Sequence, residues 1–351
     1  MTIRVGLIGV SYGERVHIPA FKANPKYELV AVCARTPGRA EAVAKENSIA
    51  RWYTDARQLI ASDLDLVSIA SPPVTHAGYA AAALSAGRHA LVEIAFAPTA
   101  SDASVLIGMA KDFQRVGAAA YAFRYSPNLR LVSDLLAQRL VGQPRLLRFD
   151  FFTNFLALSQ QSYRWIWDGA NGGGVLSGFA SHAVDLARRW LGPVKEVDGT
   201  LATFTEVTAP KNAGPLADDT GLATLFFENG VIGAFSHSAV AAYPHTRFEL
   251  LGSTASLLID GFGDEVSLLR LGETSLQPQY PPPHYLEATR GQSGLPGGFA
   301  ILLDELAQAI DSHTTPPTLP TFADGWEVTR ILDAVKLAAR ERRRVAVSEI
   351  G

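Results

Sequence analysis

The sequence predicts an α/β protein in two parts: a parallel sheet wrapped by helices, then an α+β region built on a large, mostly antiparallel open sheet. Three observations predict it. Over the first 123 residues short apolar strands alternate with helix patterns, and strands apolar along their whole length belong in a sheet covered on both faces. Beyond Arg124, strand-like segments follow one another with no helix between them, the signature of antiparallel pairing. Finally, 351 residues with 48% hydrophobic and 19% charged side chains are enough for two cores and too apolar for disorder. The expected domains are 1–123 and 124–351, with a final helix, about 322–343, able to pack back on the first domain.

The elements follow in order. Ile3 to Gly9 is a short apolar strand and a helix runs on through Phe21; Tyr27 to Cys33 is the second strand. Pro37 to Glu46 is a helix, with proline in its first turn and good helix formers after it. Leu64–Ala70, His89–Val92 and Gly117–Phe123 complete the strands, separated by helices at Ala77–Ala86, which stops at Gly87, and Ser101–Val116. A helix from Pro127 to Gln138 leads to a strand at Pro144–Phe152, a Gly- and Trp-rich loop and a helix from Ser181 to Trp190. Strands are expected at Val194–Phe204, Ala223–Phe227, Val231–Ser236, Thr246–Leu251, Ser256–Ile259 and Val266–Leu271. Residues 272–298 read as one irregular loop, and helices at Phe299–Ser312 and Phe322–Arg343 close the chain.

Composition excludes several classes. A formal net charge of −3 offers nothing to neutralise nucleic-acid phosphates, and the basic run Arg340 to Arg344 complements the carbonyl end of a helix. Cys33 is the only cysteine, so an intrachain disulfide and a multi-thiolate zinc site are both excluded. His17, His76 and His89 are not spaced with acids as metal ligands. No apolar run reaches a bilayer span, since the richest, around Ile301, is broken by Asp304 and Glu305. Met1 leads directly into a strand pattern without a cleavable leader, and the expectation is a cytoplasmic protein.

The first strand ends in Gly9-Val10-Ser11-Tyr12-Gly13-Glu14 and passes into a helix, the setting a dinucleotide fingerprint requires. Gly9 fits the tight turn; Ser11 holds the second glycine position and Glu14 the third, with Gly13 beside it. The same residues spell Gly-x-Ser-x-Gly, but the chain lacks the later acid-then-histidine order of a serine hydrolase. At the end of the second strand, where an NAD enzyme commonly places Asp or Glu, the chain has Arg35, Thr36 and Arg39. These either grip a 2′-phosphate or are solvated; joined to the glycine turn they favour NADP(H) over NAD(H).

Several segments in register carry a resemblance: Gly9 to Ala20, Ser68 to His76, Ala86 to Glu93, Phe123 to Pro127, and Gly172-Gly173-Gly174 with Ser181 to Asp185. Over residues 1 to about 190 the chain resembles the Gfo/Idh/MocA family of NAD(P)-dependent oxidoreductases. The resemblance implies a Rossmann domain, then an α/β domain whose open sheet often forms an oligomer interface, hence a homo-oligomer, dimer or tetramer. It implies that Ser71, Pro72, Pro73 and His76 lie along the cofactor's path, with Glu93 and Ile94 near the nicotinamide. The family's Glu-Lys-Pro reads Glu93-Ile94-Ala95 here, its usual asparagine is Ala122, and the aspartate four residues before the histidine is Gly178.

His182 is the remaining group suited to proton transfer near neutrality, or it fills a helix start behind a Ser181 cap. Asp185 either orients it or pairs with Arg188 or Arg189 at helical spacing. Arg124 binds a carboxylate, enolate or carbonyl oxygen, or pairs with an acid. Tyr125, Trp165, Trp167 and Phe179 either line a substrate or pack core; a site stripped of lysine, amide and carboxylate suits a ligand less hydrophilic than a polyol. The leading expectation is an NADP(H)-dependent oxidoreductase moving hydride to or from a small carbonyl, alcohol or imine. The alternatives are a non-catalytic NADP-binding sensor and a redox-neutral enzyme with tightly held cofactor.

Overall fold

The computed structural model describes residues 2–158, 163–292 and 294–351; four residues of the Gly- and Trp-rich loop, 159–162, and residue 293 of the long loop lie outside them. By contact the chain divides into two units, Met1–Ala122 with Phe299–Glu327, and Phe123–Gly298 with Val328–Gly351.

The first unit holds a parallel sheet of β1 (Ile3–Ile8), β2 (Tyr27–Cys33), β3 (Arg51–Tyr53), β4 (Leu66–Ile69), β5 (His89–Val92) and β6 (Gly117–Ala119), in the order β3-β2-β1-β4-β5-β6. Every residue of β4 and β5 is buried, as a sheet covered on both faces demands. Its helices are α1 (Tyr12–Arg15), α2 (His17–Lys22), α3 (Pro37–Glu46), α4 (Ala56–Ala61), α5 (His76–Ser85) and α6 (Ala100–Asp112). Asp55 caps α4 by accepting from the Arg57 N–H at 2.8 Å, and Thr99 caps α6 by accepting from Asp102 N–H at 3.2 Å. The single helix expected after β1 is two short ones. Strand β3 and helix α4 were not expected, because three half-exposed residues carry too little pattern to mark a strand. The strand expected through Phe123 stops at Ala119, and a 3₁₀ turn occupies Ala122–Tyr125.

The second unit contains α7 (Pro127–Ala137), β7 (Pro144–Phe152), α8 (Phe155–Leu158), α9 (Ser181–Leu191) and the strands β8 (Val194–Ala202), β9 (Thr220–Phe227), β10 (Ile232–Ser238), β11 (His245–Gly252), β12 (Ala255–Asp260), β13 (Glu265–Arg270) and β14 (Gln277–Gln279). With β15 (Val345–Ala346) they form a nine-stranded sheet ordered β14-β13-β12-β11-β7-β10-β9-β8-β15, antiparallel except for the β7–β10 pair. Along β12 burial alternates residue by residue, so one face packs a core and the other is left open. The loop expected at 272–298 contains β14 and a proline-started helix, α10 (Pro283–Ala288).

In place of a single cut after residue 123, the chain rejoins the first unit late. Helix α11 (Gly294–Ser312) belongs there from Phe299 onward because its apolar face finds partners there: the Phe299 ring lies 4.6 Å from His17, and Tyr27 OH donates to the Leu303 carbonyl at 2.6 Å. Helix α12 (Phe322–Glu341) opens in the first unit, where Phe322 packs on Phe96 at 5.2 Å. From Val328 it belongs to the second, where Val335 sits so close over Gly199 that a Cβ would meet it at 2.8 Å.

Candidate active site

In the first unit the turn after β1 needs its glycines. Gly9 has φ +97°, and a Cβ there would lie 2.6 Å from Ser71 N, so no other residue fits between the ends of β1 and β4. Gly13 carries the close helix–strand packing expected at Glu14: its Cβ position is 3.1 Å from the Leu7 side chain. Glu14 instead pairs with Arg39. Strand order changes direction at β1 and β4, and ligands of such sheets bind outside the carboxyl ends of the strands. Gly9, Ser71 and Glu93 stand at those ends of β1, β4 and β5, with Arg35 and Thr36 exposed just after β2 and Ser11 exposed in the glycine turn. This cradle fits a dinucleotide.

His76, expected along the cofactor's path, is 1% exposed. Its Nε2 lies 2.6 Å from the Ser71 carbonyl and its Nδ1 2.9 Å from that of Ala95. Burial holds its pKa below the ordinary histidine value, so it ties two loop backbones together and does not face a ligand. Ser71 Oγ is bonded to Thr75 at 2.6 Å, while Pro72 is exposed and Pro73 buried beside it. Glu93 is buried and meets His17 Nε2 at 2.8 Å, with Ser68 Oγ 2.8 Å from the other ring nitrogen. His17 and Ser68 escaped sequence reasoning because the contacts span 76 and 51 residues.

In the second unit Arg124 Nε donates to Asp185 Oδ2 at 2.7 Å and its Nη2 to Oδ1. Asp185 therefore neither orients His182 nor pairs with Arg188 or Arg189, because a bidentate guanidinium takes both of its oxygens. Ser181 is no cap: a π turn, Leu176–Ala180, runs straight into α9. Asp218 fixes that turn by accepting from Leu176 N–H at 2.8 Å, and it meets His237 Nε2 at 2.9 Å. Position Gly178 faces open space.

One residue into α9, His182 is half-buried and stands edge-on to Phe123 at 5.0 Å. Phe123 stacks on Phe262 at 4.2 Å, and Phe179 on Phe151 at 5.2 Å with Phe155 at 5.4 Å. Phe123, Phe155, Phe179 and Phe262 are all half-buried, a wall of rings that is neither sealed core nor open surface. Phe123 and Phe262 were missed; the Gly261-Phe262-Gly263 turn after β12 was the available signal. Of the expected lining residues, Tyr125 and Trp167 are core side chains at 2% and 1% exposure, and Trp165 is 39% exposed.

A doubly wound sheet with a glycine turn at its switch point, followed by a unit built on an open antiparallel sheet, defines a two-domain dinucleotide-binding protein. The chain belongs to the Gfo/Idh/MocA family of oxidoreductases: residues 3–121 match the oxidoreductase family with an NAD-binding Rossmann fold, and residues 129–258 match the GFO/IDH/MocA C-terminal domain. An uncharacterized oxidoreductase of Synechocystis is 28% identical over 361 residues, covering 99% of this chain and 97% of that protein. The levoglucosan dehydrogenase of Pseudarthrobacter phenanthrenivorans is 24% identical, covering 99% of each chain. A levoglucosan dehydrogenase structure in complex with NADH and levoglucosan superposes with a TM-score of 0.90 at 23% identity, over 100% of both chains. A 1,5-anhydro-D-fructose reductase of Ensifer adhaerens is 27% identical over 96% of each chain. Among the described residues no helix is long and apolar enough to cross a membrane.

Proposed function

We propose that this oxidoreductase transfers hydride between NADP(H), preferred over NAD(H), and a small carbohydrate-like carbonyl or alcohol poor in free hydroxyls, with His182 moving the proton. The observation that carries the reading is His182 half-buried against a ring wall, one turn beyond the open space at Gly178. Rings stack on the apolar faces of cyclic sugars, and two relatives are named for anhydro sugars. When bound, the cofactor supplies or receives the hydride. The chain's own part is to hold the substrate and pass a proton, and Ile94, where the family's lysine is expected, can do neither. Reduction suits the site better than oxidation, since a polarised carbonyl needs less help from a base than a neutral alcohol. Arg124 and Asp185, bound to each other, act by positioning the segments that carry Phe123 and His182. Arg35 and Thr36, with no acid nearby on β2, support the 2′-phosphate preference, to which Arg39 contributes in competition with Glu14.

The test is fluorescence titration with NADPH and NADH, then turnover of levoglucosan and 1,5-anhydro-D-fructose with matching cofactor. His182→Ala is expected to lower kcat by about 100-fold or more while leaving cofactor affinity unchanged. Tighter binding of NADH overturns the cofactor preference alone. Binding without turnover of either sugar, or of a wider panel of carbonyls, imines and alcohols, favours a sensor.

A further inference from the structure

A buried polar chain lies under the end of β5, and neither the glycine turn nor the ring wall uses it. His17 is fully buried, with Nδ1 2.8 Å from Ser68 Oγ and Nε2 2.8 Å from Glu93 Oε1. The other carboxylate oxygen accepts from the Ile94 N–H at 3.0 Å. If the Ser68 hydroxyl donates to Nδ1, then Nε2 carries the ring proton and donates to Glu93. Both carboxylate oxygens then receive a hydrogen and neither needs its own, so the network fits an ionised Glu93. The ring cannot swing away, since Tyr12, Phe21 and Phe299 lie around it at 5.9, 6.3 and 4.6 Å. Burial first, and then the charge of Glu93, push the Tyr12 hydroxyl's pKa upward.

The rest of the argument depends on the reading that the first unit binds a nicotinamide dinucleotide. In a sheet of this order one mononucleotide belongs to the β1–β3 half and the other to the β4–β6 half. The phosphate-gripping arginines follow β2, so Glu93, at the carboxyl end of β5, stands in the nicotinamide half. An oxidised nicotinamide ring carries a positive charge and a reduced one is neutral. Ile94 places no cation beside the carboxylate to cancel its charge.

We propose that His17 is a positioning residue that holds an ionised Glu93 at the nicotinamide end, and that this fixed charge favours binding of the oxidised cofactor over the reduced one. The test is the ratio of Kd values for NADP+ and NADPH, and for NAD+ and NADH, measured by calorimetry on the full chain. Glu93→Gln keeps the shape and removes the charge; it is expected to weaken the oxidised form relative to the reduced by about tenfold, equivalent to about 1.4 kcal/mol. His17→Ala moves the ratio the same way, and His17→Gln, which restores a donor, recovers it. A merely structural His17 would weaken both forms alike. An unchanged ratio in Glu93→Gln overturns the inference while leaving the cofactor reading intact; failure of the unmutated protein to bind either form overturns both. If His17→Ala does not fold, Glu93→Gln decides alone.

Discussion

Arg124 and Asp185 show how a pair of residues changes meaning once it is folded. Both side chains are almost wholly buried, at 5% and 1% exposure, and two directed hydrogen bonds join them. Removing one partner strands a charge out of water. Asp185→Ala is therefore expected to cost about 3–5 kcal/mol in chemical denaturation, and a loss below 1 kcal/mol would contradict a buried pair. Local spacing suggested Arg188 or Arg189, and nothing in the sequence marks a partner 61 residues away. His89 carries a second prediction. Its Nδ1 accepts from Val116 N–H at 2.9 Å, and burial, with help from Arg115 and His313, pushes its pKa down to about 4. The unfolded value is about 6.5, so protons bind the unfolded chain more readily. The stability His89 contributes is full above about pH 6.5 and is lost as pH falls towards 4. His89→Asn, which keeps an acceptor, should flatten the fall in Tm across that window; an unchanged slope would assign the fall to other groups.

Elements decide which residues reach the site. The π turn runs into α9 without a break, which is why Ser181 does not cap and why His182 follows Phe179 by one turn. Period and capping rules read a helix start at Ser181 because an irregular turn has no sequence signature of its own; Asp218 fixes it from 42 residues away. The glycine turn was legible, although the assignment of its third glycine was not: packing against Leu7, and not spacing, selects Gly13. Two substitutions separate space from strain. Gly178→Asp enters open space and should change stability by no more than about 0.5 kcal/mol. Gly9→Ala must take a positive φ and overlap the Ala70 backbone, so a loss of about 2 kcal/mol or more is expected, together with weaker cofactor binding. Thermal melts of the two variants check both claims, and equal losses would refute them.

For the whole molecule, the open face of the nine-stranded sheet is the feature that calls for a partner. Leu222 and Ile232 are 60% and 43% exposed. Charges on the strands are already paired: Arg148 with Glu249 at 2.9 Å and Arg247 with Asp260 at 2.8 Å. Covering paired charges costs less desolvation than covering lone ones. We propose that a second copy covers this face. Light scattering should return a dimer or tetramer, and Leu222→Lys with Ile232→Lys should reduce it to monomer; a monomeric unmutated protein would end the proposal.

The sequence by itself determined the parallel sheet followed by the open antiparallel one, the glycine turn, the missing acid after β2 and the resemblance to the family. These reside in periodicity and in short motifs, which depend only on neighbours along the chain. Tertiary structure alone decided that Asp185 serves Arg124, that His76 ties backbone, that His17 holds Glu93 and that Phe123 and Phe262 share a wall with His182. It also decided that the late segment from Phe299 joins the first unit. Each of these depends on contacts between distant residues, made by packing and hydrogen-bond satisfaction, which leave no periodic trace in the chain.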